Sequence, residues 1–255
     1  MWYFSEQKLF IFIPMTNRDL FQPKLFATCL PDDLDAFDLD RLKSLVSPKR
    51  RERSEKFLFK ADKARCLTGE LLLRHALKNI DIKTPHVLDF TFNQYGKPSL
   101  ANIDNIHFSI SHSGKWVLVG ISSAAIGVDV ERIHTISDGL AQRFFSPDEC
   151  MLLEDCDGHD HMLDMFYRIW VLKESYIKAI GKGMYCPLDA FSVLPSDTDT
   201  ASLRLHDQSL PDMYLKEYSI GRGYKAAMAS AIDRFPAVVE CADINHVIQL
   251  TFSPY

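Results

Sequence analysis

The run Ile106-His-Phe-Ser-Ile-Ser-His-Ser-Gly-Lys-Trp-Val-Leu-Val-Gly-Ile-Ser-Ser-Ala-Ala-Ile-Gly-Val-Asp-Val-Glu131 decides the fold class. It reads as three short strands, Ile106 to Ser111, Trp116 to Ser122 and Ile126 to Glu131, each bounded by turn residues. Ser111-His112-Ser113-Gly114-Lys115 reads as a tight loop joining the first two, and a boundary between two lobes is expected near Ser122 to Ala125. In the last strand Ile126, Val128 and Val130 occupy one face, and Asp129 and Glu131 the other. With a rise of ~3.3 Å per residue the two carboxylate-bearing backbones stand about 6.6 Å apart. That suits one hard cation such as Mg2+, and without neutralisation the pair repels. The same pattern also describes a plain solvent-facing strand.

Outward from this run, helices precede and follow. Ser47-Pro48 is a helix start, with Ser as N-cap and Pro in the first turn, so Lys49, Arg50, Arg51 and Arg53 fall in the opening turns and Arg50 shares a face with Arg53. A second helix runs from Asp62 to Lys78 with Ala64, Leu67, Leu71, Leu72 and Ala76 as its apolar stripe and Arg65 near its start. Gly69 inside it costs about 1 kcal/mol relative to Ala, which points to another backbone packed closely there. Val87 to Phe92 reads as a strand and Tyr95-Gly96-Lys97-Pro98 as a turn. Downstream come helices from Ser146 to Glu154 and Met162 to Ile180, the latter ended by Gly181-Lys-Gly183, then strands at Ala190 to Leu194, Tyr214 to Ser219 and Tyr224 to Ser230. Helices followed by antiparallel strands thus occur twice, which predicts an α+β chain. Residues 1–22 lack pattern and are expected to form an extension without chemistry.

At 255 residues, 47% hydrophobic and 25% charged, with 11 Gly and 12 Pro, the composition excludes disordered, collagen-like and fibrous classes. No apolar run approaches the ~20 residues of a membrane-spanning helix, and Met1 to Lys8 lacks the basic leader of a secretory signal, so a cytoplasmic location with no membrane partner is expected. Six scattered cysteines without a CxxC pair read as reduced thiols. Cys150, Cys156, His159 and His161 lack the paired spacing of a structural zinc site and read as part of an acidic surface loop. The net charge of -5 argues against a nucleic-acid partner. Locally the balance is uneven: Arg41 to Arg65 carries +7 and Asp129 to Asp164 carries -8. These read either as solvated faces or as an anion site followed by a cation site.

On the long helix Trp170, Glu174 and Lys178 are spaced i, i+4, i+8 and line one side. A surface pair of this kind contributes only ~0.3 to 0.5 kcal/mol, so the spacing alone is weak. In this order, however, Tyr95-Gly-Lys-Pro98, Phe108-Ser-Ile-Ser-His-Ser113, Gly127-Val-Asp-Val-Glu131, Phe144-Phe-Ser-Pro-Asp-Glu149, Trp170-Val-Leu-Lys-Glu-Ser-Tyr-Ile-Lys178 and Gly181-Lys-Gly183 resemble the 4'-phosphopantetheinyl transferases of the Sfp type, over about residues 24 to 235. The chain departs from that pattern in the basic helix, where Arg50 and Arg53 stand at positions often held by lysine, keeping charge but not hydrogen-bond geometry.

The resemblance implies two similar lobes in a pseudo-twofold arrangement, residues 23–124 on the coenzyme A side and 125–255 on the metal and catalytic side. It implies Mg2+-dependent transfer of the phosphopantetheine arm of coenzyme A to a serine of an apo acyl or peptidyl carrier protein, with release of adenosine 3',5'-bisphosphate. Asp129, Glu131 and Glu174 would hold Mg2+, with Mn2+ as a substitute. Glu174 or Glu149 would accept the serine proton, and Lys178, with Lys173 assisting, would stabilise the departing bisphosphate. Arg50, Arg53, Arg65 and His112 would meet the 3'-phosphate, Ser111 and its loop amides a phosphate oxygen, and Tyr95, Gly96, Lys97 and Pro98 the adenine. Ile133, Ile136, Leu140 and Phe144 are either an apolar contact for the carrier helix or core packing. A monomer serving nonribosomal peptide or polyketide carriers is implied. The competing readings are a catalytically silent coenzyme A or nucleotide-binding module, which need not keep every carboxylate, and an RNA-binding protein using Arg41 to Arg65, which the acidic total disfavours.

Overall fold

The computed structural model describes residues 21–34, 37–82 and 88–250. Most of the expected extension at residues 1–22, and Val87 of the strand expected at 87–92, lie outside these. In chain order the elements are β1 (Lys24–Cys29), α1 (Leu39–Leu45), α2 (Pro48–Glu55), α3 (Lys60–Lys78), β2 (Phe90–Phe92), β3 (Pro98–Leu100), β4 (His107–Ser113), β5 (Trp116–Ser122), β6 (Ile126–Arg132), α4 (Leu140–Phe144), α5 (Pro147–Glu154), α6 (His159–Ile180), β7 (Phe191–Pro195), β8 (Thr200–Leu205), β9 (Tyr214–Tyr218), β10 (Tyr224–Ser230), β11 (Glu240–Ala242) and α7 (Ile244–Leu250).

The strands form two main sheets and a small hairpin of β2 and β3. One sheet has the order β11-β1-β5-β4, antiparallel except where β11 runs parallel to β1. The other has the order β6-β10-β9-β8-β7 and is antiparallel throughout. Each carries one long helix: Leu67, Leu71 and Ala76 of α3 join Val117, Val119 and Ile121 of β5 in a first core, and Ile169, Leu172 and Tyr176 of α6 join Phe191, Ala227 and Ala229 in a second. The opposite sheet faces meet in a third core, where Leu25, Ala27 and Leu118 pack on Ile126, Val128, Val130 and Met228. Period-two alternation therefore does double service in β5 and β6, because each has one face toward its own helix and one toward the other lobe.

Two features of this plan depart from the sequence reading. The expected second lobe, residues 125–255, is not continuous in space. Phe26 to Thr28 pair with Glu240 to Ala242, and Ile244, Val247 and Ile248 of α7 are buried in the first core, so the chain returns to the lobe it began in. At Gly69 the close neighbour is a side chain rather than a backbone, since an added Cβ would fall 2.9 Å from Ile110 Cγ2.

Gly127 meets a backbone. An added Cβ there would lie 2.0 Å from the Ser175 carbonyl oxygen and 2.4 Å from the Ala179 nitrogen, so only glycine lets α6 settle onto β6 at this point. That contact sets Glu174 and Lys178 beside Asp129 and Glu131.

Candidate active site

Asp129 projects from β6 toward α6 and is 1% exposed. Its Oδ1 accepts from Lys178 Nζ at 2.5 Å and from Ser111 Oγ at 2.7 Å, and Lys178 Nζ also donates to Ser111 Oγ at 2.9 Å. Its Oδ2 is buried without a partner, a costly state for a carboxylate oxygen. Glu131, two residues on, has Oε2 accepting from Ser113 Oγ at 2.7 Å. Burial, with Asp129 and Glu174 nearby, raises Glu131 to about 7, against the hydrogen bond from Ser113 and the charge of Lys178. Glu174 is likewise raised, by burial and then by Asp129. Burial works against the Lys178 ammonium, yet Asp129, Glu174 and Glu131 outweigh it and keep its pKa above the ordinary lysine value. With its side chain 31% exposed, Lys178 still reaches solvent.

Among the described residues no three His, Cys, Asp or Glu side chains are already gathered in a metal-binding cluster. The donor set nonetheless fits a hard divalent cation: it is all oxygen, Asp129 makes ionisation of both Glu131 and Glu174 harder, and Asp129 Oδ2 is buried with no hydrogen-bond partner.

Beside this cluster a cavity of about 390 Å³ is lined by Arg50, Arg53, Tyr95, Lys97, His112 and Lys178. Its walls come from both lobes. Ser47 caps α2 by accepting the Arg50 amide, which places Arg50 and Arg53 toward the cavity. On the opposite wall the turn at Tyr95 is shaped by Asn93, whose Oδ1 accepts from the amides of Tyr95 and Lys97 while its Nδ2 donates to Gly181 O. Gly181 ends α6 with φ 71°, the left-handed conformation that a helix C-terminus favours in glycine. The rings of Tyr95 and Tyr185 lie 5.3 Å apart, both open to solvent. Burial, followed by Arg65, Lys178 and Arg53, lowers His112 to about 4, so its imidazole is neutral at neutral pH.

Several expected site residues stand elsewhere. Glu149 and Lys173 are both 0% exposed, and Lys173 Nζ donates to Glu149 Oε1 and Oε2 at 2.6 Å each and to Phe191 O at 2.8 Å. Glu149 also accepts the amides of Ser146 and Val193. Burial pulls Lys173 below the usual lysine range despite Glu149. Lys173 falls on the side of α6 covered by α5 and β7, where Glu149 and the Phe191 carbonyl receive it. The structure thus places Glu149, the expected alternative base, and Lys173, an expected coenzyme contact, in a buried pair closed to solvent.

Ser111 and His112 lie within strand β4, not in a loop, and Ser111 Oγ is engaged by Asp129 and Lys178. Arg65 donates to Gly114 O and to Asp62, and lines a neighbouring cavity with Lys115 and Arg132 instead of the one holding Arg50 and Arg53. Lys97 Nζ donates to Ile126 O at 3.2 Å and Ala179 O at 2.8 Å, so this side chain ties the lobes together while its backbone borders the cavity. Ile133, Ile136, Leu140 and Phe144 are half-buried and packed against the second core.

Two contributors escape a reading of the sequence. Glu70, fully buried in α3, accepts from Ser47 N at 2.7 Å and Ser47 Oγ at 2.6 Å and holds Arg50 Nε at 3.7 Å, which anchors the basic helix. An acidic residue between Leu67 and Leu71 of the apolar stripe was the available signal. Ser113 carries the other, as its contact with Glu131 arises only when the lobes meet.

The chain is similar in sequence to known proteins. Residues 36–124 match the family described as 4'-phosphopantetheinyl transferase, N-terminal, and residues 125–229 the 4'-phosphopantetheinyl transferase superfamily, dividing where β5 gives way to β6. The 4'-phosphopantetheinyl transferase ffp of Bacillus subtilis is 38% identical over 213 residues, 84% of this chain and 94% of its own. The 4'-phosphopantetheinyl transferase Sfp of Bacillus subtilis strain 168 is 37% identical over the same shares. The 4'-phosphopantetheinyl transferase psf-1 of Bacillus pumilus is 34% identical over 226 residues, 87% of this chain and 94% of its own.

Proposed function

Because the chain belongs to the 4'-phosphopantetheinyl transferase superfamily, we propose that it transfers the phosphopantetheine arm of coenzyme A to a serine of an apo acyl or peptidyl carrier protein and releases adenosine 3',5'-bisphosphate. The observation that carries this reading is that Lys178, bonded to Asp129, lines the same cavity as Arg50, Arg53 and His112.

Arg50, Arg53 and His112 hold the nucleotide phosphate that lies off the reaction path, and the imidazole gains a proton as the anion offsets its cationic neighbours. Tyr95 and the backbone of residues 95–98 border the adenine, with the ring of Tyr185 beside them. Asp129, Glu131 and Glu174 hold a divalent cation, Mg2+ or Mn2+, whose charge would neutralise the pyrophosphate. The carrier serine oxygen attacks the phosphorus that bears the pantetheine arm, and the bond from that phosphorus to the oxygen of the adenosine bisphosphate breaks. Glu174, with its raised pKa, takes the serine proton, as Glu149 is sealed in the core. Lys178 offers its charge to the departing phosphate.

Weighing an apo-carrier protein by mass spectrometry after incubation with the chain, coenzyme A and Mg2+ tests the reading. A gain of the phosphopantetheine mass, lost in Asp129→Ala and Glu174→Ala, is expected. Unmodified carriers of every type, with coenzyme A still bound, would leave only a silent binding module. Of location, no described helix is long and apolar enough to cross a membrane. We place the chain in the cytoplasm as a monomer acting on carriers of nonribosomal peptide or polyketide assembly.

A further inference from the structure

Strands β4 and β6 are edges of different sheets, and no backbone ladder joins them. Every second amide of β6 on this side would be an unpaired edge donor. Three serines of β4 receive them: Ser109 Oγ accepts from Val128 N at 3.1 Å, Ser111 Oγ from Val130 N at 3.4 Å and Ser113 Oγ from Arg132 N at 3.0 Å. The step is two residues on both strands, so alternate hydroxyls of one strand stand in for the missing neighbour of the other.

A hydroxyl that accepts an amide still has its own proton to give. Ser111 gives it to the carboxylate of Asp129, and Ser113 to that of Glu131 at 2.7 Å, in each case the residue just before the one whose amide it accepts. At Ser109 the corresponding residue is Gly127, which has no side chain to receive it. The ladder thus contains its own control. One rung joins backbone alone, and two rungs join backbone and a carboxylate of the site.

We infer that Ser113 is a positioning residue for the divalent cation: from the first lobe it fixes the Glu131 carboxylate of the second in the orientation the ion requires. The inference rests on the reading of Glu131 given under the proposed function. Ser113 touches neither the nucleotide cavity nor Lys178, so its effect passes through Glu131. Partners of this kind, one step removed from a metal, typically set affinity by about 10- to 100-fold.

The test uses the full chain and its Ser113→Ala, Ser113→Thr and Ser109→Ala variants. Binding of Mn2+ to the protein–coenzyme A complex is followed by the paramagnetic resonance of free Mn2+, thermal unfolding is recorded alongside, and carrier modification is measured against Mg2+ concentration. Ser113→Ala should weaken Mn2+ by about tenfold or more and raise the Mg2+ needed for half-maximal transfer by the same factor. Ser113→Thr, which keeps the hydroxyl, should restore both. Ser109 also lines the cavity, so coenzyme A is kept saturating; under that condition Ser109→Ala should lower the unfolding midpoint without moving the Mn2+ dissociation constant. Wild-type Mn2+ binding by Ser113→Ala, or an equal loss in Ser109→Ala, overturns the inference alone. A wild-type chain that neither binds Mn2+ nor needs a divalent ion to modify any carrier overturns the cation reading with it. If Ser113→Ala does not fold, Ser113→Cys, close in size and a weak donor, is subject to the same outcomes.

Discussion

Gly127 and Ser175 touch backbone to backbone, and the space of a single methyl group separates a working helix position from a displaced one. Gly127→Ala forces α6 off β6 and carries Glu174 and Lys178 away from Asp129. A shift near 1 Å costs about 10²-fold in rate where geometry is this tight, and overpacking costs roughly 1–3 kcal/mol in stability. Carrier modification rates and thermal melts of the variant should show both losses together, and wild-type turnover would contradict the role given to this contact.

Glu149 and Lys173 form a pair closed to solvent, with further hydrogen bonds to Ser146, Val193 and Phe191. Removing one partner strands a buried charge, at roughly 3–5 kcal/mol. Lys173→Met and Glu149→Gln should therefore each lower the denaturation midpoint substantially. At a temperature where the variant remains folded, Glu149→Gln should keep a pH–rate profile of wild-type shape, because the proton acceptor is elsewhere. A lost acidic limb in that profile would restore Glu149 as the base.

Glu131 illustrates a site that opposes stability. Its folded pKa of about 7 lies above the unfolded value, so between about pH 4.5 and 7 the folded chain holds more protons than the unfolded one. The contribution of this group is greatest at acid pH and is lost as pH rises through 7. In cation-free buffer Glu131→Gln should melt higher than wild type at pH 8, with the gap closing toward pH 4.5, while transfer is abolished. Calorimetry across that range checks the sign.

Lys97 has the opposite linkage. Burial lowers it to about 8, so between pH 8 and 10.5 the unfolded chain binds more protons, and the contribution of Lys97 improves as pH rises through that window. Denaturant melts of wild type and Lys97→Met should diverge in favour of wild type from pH 8 to 10.5. A constant difference would mean that the ammonium bridging Ile126 O and Ala179 O titrates normally.

The sequence made the strand faces legible where periodicity alone decides them. Ile126, Val128 and Val130 are buried between the lobes and Asp129 and Glu131 turn the other way, as a period of two requires. It also placed Ser47 as the cap of α2 and Gly181 as the end of α6, because capping chemistry is local. What local pattern does not encode is which neighbour across space will claim a polar group. Adjacent Lys173 and Glu174 differ in fate because of what packs against each side of α6. The hydroxyls of Phe108-Ser-Ile-Ser-His-Ser113 suggested a phosphate, and the β6 amides had a prior claim on them. Strand β8 is legible in its alternation, with Ala201, Leu203 and Leu205 inward and the polar residues between them outward. The short strand β11 carries no such alternation and exists because β1 offers it an edge.

The return of the chain through β11 and α7 also has a mechanical side. The polypeptide passes between the lobes twice, once between β5 and β6 and again between β10 and β11, so two covalent straps lash them together. Twisting one lobe about a single tether is thereby denied. Parting the lobes would also have to separate Leu25, Ala27 and Leu118 from Ile126, Val128 and Met228, so the walls of the cleft stay joined through a shared core.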